Sequence, residues 1–258
     1  HMRNYNETYN NLVAPLYGPL RDLINDDTLI QSNNTSHLYS VHERVDMTMY
    51  KTYSIDPNGC EDADDAFSIY EEDGKLFLAI HIADPTEYID NTSDLWRDIE
   101  KRVVTRYPSN KRPIHMIPHE IMEKSSLMVN RFGDIKLAIT VLSEINKSTY
   151  EPVGGIKLLF TKVKVATDNA LSYKYAGHNV GSIKTLQHGL SISEALYKIR
   201  SGKTKGTVLN EVSIAFPRYD DTHLYLYSDK KEEISMKQMI AEFAIFANTF
   251  IGEYLKIN

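Results

Sequence analysis

The chain has 258 residues, 42% hydrophobic and 25% charged, enough for one large domain or two small ones whose core needs no disulfide staples. A net charge of −6 argues against a protein that coats nucleic acid indiscriminately, though not against a nucleic-acid enzyme with a local basic patch. The single cysteine, Cys60, excludes an internal disulfide and suits a cytoplasmic or other reducing compartment, while no apolar run reaches the roughly 20 residues of a membrane span and no secretory signal is visible.

Residues 3 to about 45 are polar and weakly patterned, and we read 1–45 as a leader onto a main domain at 46–258. Thr52 to Ile55 reads as a short strand that runs into an acidic loop. Ala66 to Tyr70 and Lys75 to Ala83 read as strands joined at Asp73-Gly74, a strong hairpin signal. The second of them is almost wholly apolar, which predicts a central strand buried on both faces. A helix is expected from Asp94 to Thr105, with Ser93 as its N-cap and Leu95, Trp96, Ile99 and Val103 on one face. Lys136 to Ile145 and Lys157 to Ala166 are expected to pair as strands across a turn at Glu151 to Gly155. A helix follows at about Ser182 to Arg200, then short strands near Val208 to Phe216 and His223 to Tyr227. The last helix, about Ser235 to Leu255, carries Met239, Ile240, Phe243, Phe246 and Phe250 at helical spacing. The mixture predicts an α+β fold, a mixed and mostly antiparallel sheet packed with helices.

Four aspartates lie within ten residues: Asp56, Asp62, Asp64 and Asp65, with Glu61 beside them. Carboxylates this close raise one another's pKa unless a cation offsets them, and an all-oxygen set of this kind suits Mg²⁺ or Mn²⁺. Most short acidic runs are solvated loops, and that reading stays open beside the metal cage. A calcium EF-hand loop fails, because counting from Asp56 puts Glu61 where Gly is required and Phe67 where the bidentate Glu is required. Lys101, Arg102, Arg106, Lys111 and Arg112 fall within twelve residues, with Tyr107 among them, a pattern that suits either RNA or a solvated helix end.

The acidic motif Ile55-Asp56…Glu61-Asp62-Ala63-Asp64-Asp65-Ala66, followed by Leu78-Ala79-Ile80-His81-Ile82-Ala83-Asp84, resembles the catalytic (RNB) domain of the ribonuclease II family. Ile114 to Pro118, Ser126 to Asn130 and Ala241 to Asn248 resemble three further family segments in the family's order, so the likeness spans roughly four-fifths of the chain. It implies an RNB-like fold and a processive 3′→5′ exoribonuclease that hydrolyses single-stranded RNA to nucleoside monophosphates with Mg²⁺, or Mn²⁺ in its place. Asp56, Asp62 and Asp65 would hold metal, and Asp64 would orient the terminal nucleotide and support attack. Tyr107, one residue upstream of the family's usual spacing, would clamp a base, Arg106 and Arg112 would contact RNA, and Glu242 would lie near the RNA 3′ end. His81 and Asp84 read as structural. The family's C-terminal segment, with its phosphate-binding Arg, does not occur in this sequence. The implied partners are therefore single-stranded RNA and either that segment or a larger RNA-degradation complex, with no membrane. The alternative is a catalytically incomplete RNB-fold module that binds RNA or protein.

Overall fold

The computed structural model describes residues 43–60, 62–106, 114–203, 215–219, 224–228 and 230–257. The leader expected before residue 43 lies outside them. In chain order the elements are β1 (Val45–Asp46), β2 (Thr52–Asp56), β3 (Asp65–Glu72), β4 (Lys75–Ala83), α1 (Asp94–Arg102), α2 (His119–Ser125), β5 (Lys136–Ile145), β6 (Pro152–Val163), β7 (Ala170–Ser172), α3 (Tyr173–Asn179), α4 (Lys184–Lys203), β8 (Ala215–Tyr219), β9 (Leu224–Ser228) and α5 (Lys231–Ile257). They fall into two compact units: Glu43–Ala83 with Ser126–Asn258, and one whose described part is Asp84–Ser125. Among the described residues, no helix is long and apolar enough to cross a membrane.

The larger unit is built on a sheet of order β1-β6-β5-β4-β3-β2-β7. Its inner pairs are antiparallel, and β1–β6 and β2–β7 at the edges are parallel. The mixed, mostly antiparallel sheet is therefore as expected, and β4 stands at its centre. The hairpin also forms at the expected place: Asp73 (φ 49°) and Gly74 (φ 75°) both take the left-handed conformation that a two-residue turn between twisted strands demands.

Strand alternation gives the sheet two faces. One carries Tyr53, Ile55, Phe67, Leu78, Ile80 and Val141 and packs against α3, α4 and α5 through residues such as Ala176, Leu186, Ile192, Met239 and Phe243. The other carries Ala66, Ala79 and Ala138, small enough to admit Met47, Ala63 and Leu127 above them. On this second face a chain of buried polar side chains crosses five strands. Thr52 Oγ1 meets Ser68 Oγ (2.9 Å), which meets His81 Nε2 (3.0 Å). His81 Nδ1 meets Thr140 Oγ1 (2.8 Å), which meets Thr161 Oγ1 (2.7 Å). At its ends Thr52 Oγ1 reaches the Tyr50 carbonyl and Thr161 Oγ1 the Ala138 carbonyl. Burial pushes the imidazole down to about 3, so it is neutral, with one nitrogen donating and the other accepting.

Several expectations are corrected. The β5–β6 reversal is at 146–151, not Glu151 to Gly155. Asn146 Oδ1 accepts from Ser148 N (2.8 Å) and Thr149 N (3.0 Å), and its backbone N–H donates to Glu151 O (2.9 Å). Gly154 and Gly155 lie inside β6, opposite a register irregularity between Leu142 and Glu144, so these glycines mark a bulge rather than the turn. The second of the paired strands thus starts at Pro152 rather than Lys157. The two long helices begin and end a few residues away from expectation, and α5 starts at Lys231. Residues 208–214 of one expected strand and His223 of the next lie outside the described residues; Ala215 and Phe216 open β8, which runs on to Tyr219 and pairs with β9.

In the smaller unit, Ser93 caps α1 as expected, its Oγ accepting from Trp96 N (3.1 Å). Leu95 and Ile99 are buried with Ile89 and Ile121. The helix stops at Arg102, however, because Val103 takes φ 64°, and its side chain is exposed rather than on the buried face. That conformation strains a β-branched residue.

Candidate active site

The acidic motif lies in the larger unit, at the ends of β2 and β3. Asp56 ends β2, Asp65 opens β3, and Asp62 and Asp64 lie in the connection. Gly59 (φ 81°) and a Cys60 N–H bond to the Pro57 carbonyl (3.1 Å) turn the chain back after Asp56. Ala63, between Asp62 and Asp64, is fully buried and clasped: its N–H donates to Ser126 Oγ (3.1 Å) and its carbonyl accepts from Leu127 N (2.9 Å). The Asp64 carbonyl accepts from Ala83 N (2.8 Å). The Ser126–Asn130 segment is therefore the clamp that shapes the acidic loop, and Asn130 Oδ1 in turn accepts from the buried Lys136 Nζ (2.8 Å).

The four carboxylates act on one another. Burial pushes Asp56 up to about 7, and Asp65, Asp62 and Asp64 all add repulsion. The neighbouring Ser54 hydroxyl pulls Asp56 the other way without reaching good hydrogen-bond geometry: Ser54 Oγ and Asp56 Oδ2 are both buried and unpaired. Burial, then the Asp64 charge, push Asp65 up to about 6. Cys60 Sγ donates to the Asp62 carbonyl (2.7 Å), and burial foremost pushes the thiol up to about 11.

Among the described residues, no three His, Cys, Asp or Glu side chains converge as a ready-made metal chelate. Glu61 lies outside those residues. The donors nevertheless fit a hard dication in kind. Asp56 presents a buried oxygen without a hydrogen bond, and burial foremost, with the neighbouring carboxylate charges, penalises the anions of Asp56 and Asp65, a penalty that a dication would offset.

The expected substrate residues are less gathered. Arg106 belongs to the smaller unit, bridged by its backbone to Ile114, while Tyr107 and Arg112 lie outside the described residues. Arg102, part of the expected basic patch, is buried instead, ion-paired with Asp98 and donating to the His115 carbonyl (2.8 Å). Glu242 on α5 is buried and held by Arg200 of α4 through both carboxylate oxygens. The pair lines two cavities of about 470 and 450 Å³ between helical residues such as Tyr197, Ile245 and Phe246. His81 and Asp84 are buried, consistent with structural roles.

Tyr173, which the sequence did not single out, also belongs to the site. Burial, then the charges of Asp65 and Asp56, push its phenol up to about 12. The only sequence signal was Ser172, a plausible N-cap immediately before it.

Residues 44–258 match the RNB domain family. The human protein "Exosome complex exonuclease RRP44" is 28% identical over 217 residues, which is 81% of this chain and 22% of the human protein. "Exoribonuclease 2" of Mannheimia succiniciproducens is 26% identical over 242 residues, 89% of this chain and 36% of that protein. The chain thus spans well under half the length of these relatives. In fold it is similar to Mycoplasma genitalium RNase R in complex with ribose-methylated single-stranded RNA, with a TM-score of 0.71 at 17% identity over 91% of this chain and 37% of that one. It is also similar to yeast Ssd1, a pseudonuclease, with a TM-score of 0.55 at 18% identity over 66% of this chain and 21% of that one. A family match over most of the chain, on a mixed sheet that carries the acidic motif at its strand ends, makes this chain a member of the RNB domain family.

Proposed function

We propose that the chain carries the acidic centre of a 3′→5′ exoribonuclease that hydrolyses single-stranded RNA to nucleoside monophosphates. The gathering of four aspartates at one pair of strand ends, with Asp56 and Asp65 raised to about 7 and 6 by burial foremost and by their neighbours' charges, beside an unpaired buried carboxylate oxygen, carries the proposal. Such a cluster suits phosphoryl chemistry assisted by a dication. Asp56, Asp62 and Asp65 would hold Mg²⁺, or Mn²⁺ in its place. Bound metal would supply an activated water and neutralise charge on the phosphate. Asp64, the most exposed of the four, would orient the terminal nucleotide. Names among the relatives support the substrate and the setting: one is an exosome exonuclease, and one structural neighbour is complexed with single-stranded RNA.

The test is to incubate 5′-labelled single-stranded RNA with the chain in Mg²⁺ and in chelator. Stepwise shortening from the 3′ end in Mg²⁺ alone is expected. Asp64→Asn should lower the rate by at least about a hundredfold and leave RNA binding intact, the scale expected when a positioned catalytic group is removed. Undiminished turnover in that variant would refute its role. The likeness to a pseudonuclease favours a second reading, an RNA-binding module without turnover. Its signature is RNA binding, with or without Mg²⁺, and no shortening.

A further inference from the structure

Lys136 opens β5 and is buried to 1% exposure, one of the largest side chains that the fold encloses. Lysine is almost never enclosed so completely unless it is paired, because its ammonium gives up its water. It shares a sheet face with Ala138 and Thr140, and in register it stands opposite Val163 of β6. Ala138 and Val163 belong to the same apolar cluster as Ala63 and Leu127. Lys136 is thus placed beside the packing that seats the acidic loop.

Its ammonium donates to Asn130 Oδ1 (2.8 Å), and the same oxygen accepts from Phe132 N (3.0 Å). The Asn130 carbonyl accepts from Gly133 N (3.0 Å), and Gly133 turns the chain at φ 104°. Together these bonds close a tight reversal at the end of the Ser126–Asn130 segment. The other end of that segment grips Ala63 from both sides, through Ser126 Oγ and Leu127 N. Ala63 stands between Asp62 and Asp64. A continuous line of contacts therefore runs from the buried ammonium, through Asn130 and the clamp, to the backbone that carries two of the four aspartates. An apolar side chain at 136 could fill the same space, but it has no donor with which to hold Asn130 in one orientation.

We infer that Lys136 is a positioning residue for the acidic centre: by fixing Asn130 it fixes the Ser126–Asn130 clamp, and the clamp sets where Asp62 and Asp64 stand toward a bound dication. The inference rests on the metal reading of the aspartates, and the test separates the two. Mn²⁺ binding to the 258-residue chain is followed by electron paramagnetic resonance, and amide exchange at Ala63 is followed without metal. Lys136→Met is close in shape. It is expected to weaken Mn²⁺ binding by about ten- to a hundredfold, the range typical when a group that orients a metal ligand is removed, and to speed exchange at Ala63. Asn130→Ala should do the same, and the double variant should be no worse than the poorer single one, because both act through one contact. Lys136→Arg, which keeps the charge and the donors, should retain most of the affinity that Lys136→Met loses. Unchanged Mn²⁺ affinity or unchanged Ala63 exchange in Lys136→Met overturns the inference. So do losses that add in the double variant, or an Arg variant as impaired as the Met variant. If Lys136→Met does not fold, Asn130→Ala decides on the same two measurements. A wild-type chain that binds no Mn²⁺ overturns the metal reading; the hold of Lys136 on the loop is then judged by Ala63 exchange alone, and unchanged exchange overturns that as well.

Discussion

Asp65 carries a carboxyl that favours its proton in the folded chain, because burial and the Asp64 charge penalise the anion. Its contribution to stability is fully present below the ordinary carboxyl value of 3.8 and is lost as pH rises through about 6. Asp65→Asn is therefore expected to raise stability at pH 8, in chelator, by on the order of 1–2 kcal/mol, and to change it little at pH 4, as read by urea unfolding. An equal effect at both pH values would exclude the charge as its cause. His81 runs the other way. Its folded value is lowered to about 3 from 6.5, so its contribution is present above 6.5 and is lost as pH falls toward 3. Its imidazole resonances are expected not to titrate between pH 8 and pH 4, and a midpoint near 6.5 would contradict its burial. The aspartates were legible in the sequence because they crowd into ten residues and are of one type. Tyr173 was not, because only the β7–β2 pairing brings it to Asp56 from far along the chain. Glu242 was legible as a conspicuous acid on an apolar helix, but its partner Arg200 lies on another helix, and no local pattern joins the two.

Elements with their own signal were read almost to the residue. The Asp73-Gly74 hairpin, the apolar β4 and the Ser93 cap each carry a local cause in residue type: two left-handed positions, an almost wholly apolar run, and a hydroxyl placed for a helix N-terminus. β1 and β7, of two and three residues, are too short to show periodicity, and they exist because an edge partner was available. The glycines near residue 154 were ambiguous for a physical reason: the same conformational freedom serves a turn or a bulge, and the choice was made by Asn146 capping an earlier reversal. The Ser126–Asn130 segment looked like a motif and proved to be a clamp. Ser126→Ala would leave the buried Ala63 N–H unpaired and is expected to cost about 1–3 kcal/mol in stability. The loop between Asp62 and Asp64 should loosen at the same time, visible as faster amide exchange at Ala63. Unchanged exchange there would mean that the apolar packing of Ala63 and Leu127 alone fixes the loop.

For the molecule as a whole, fold class followed from the alternation of strand and helix signals, and the RNB domain match spans almost everything after the expected leader. A dication that binds only the folded chain must stabilise it, by about 2.7 kcal/mol at a hundredfold excess over its dissociation constant. Mg²⁺ or Mn²⁺ is therefore expected to raise the melting temperature, EDTA to reverse the gain, and Asp62→Asn to diminish it. A melting temperature indifferent to both ions would argue against any cation at the strand ends. The Thr52–Ser68–His81–Thr140–Thr161 chain bears on how so large a sheet reaches its proper pairing at all. If β4 slid by one residue against its neighbours, His81 would swing among leucines and isoleucines, and the hydroxyls on both sides would face methyl groups. Each such error leaves buried donors and acceptors stranded, whereas a purely aliphatic strand would tolerate the slip at little cost. The polar thread thus acts as a proofreading device for assembly, rejecting misaligned sheets that hydrophobicity by itself would accept.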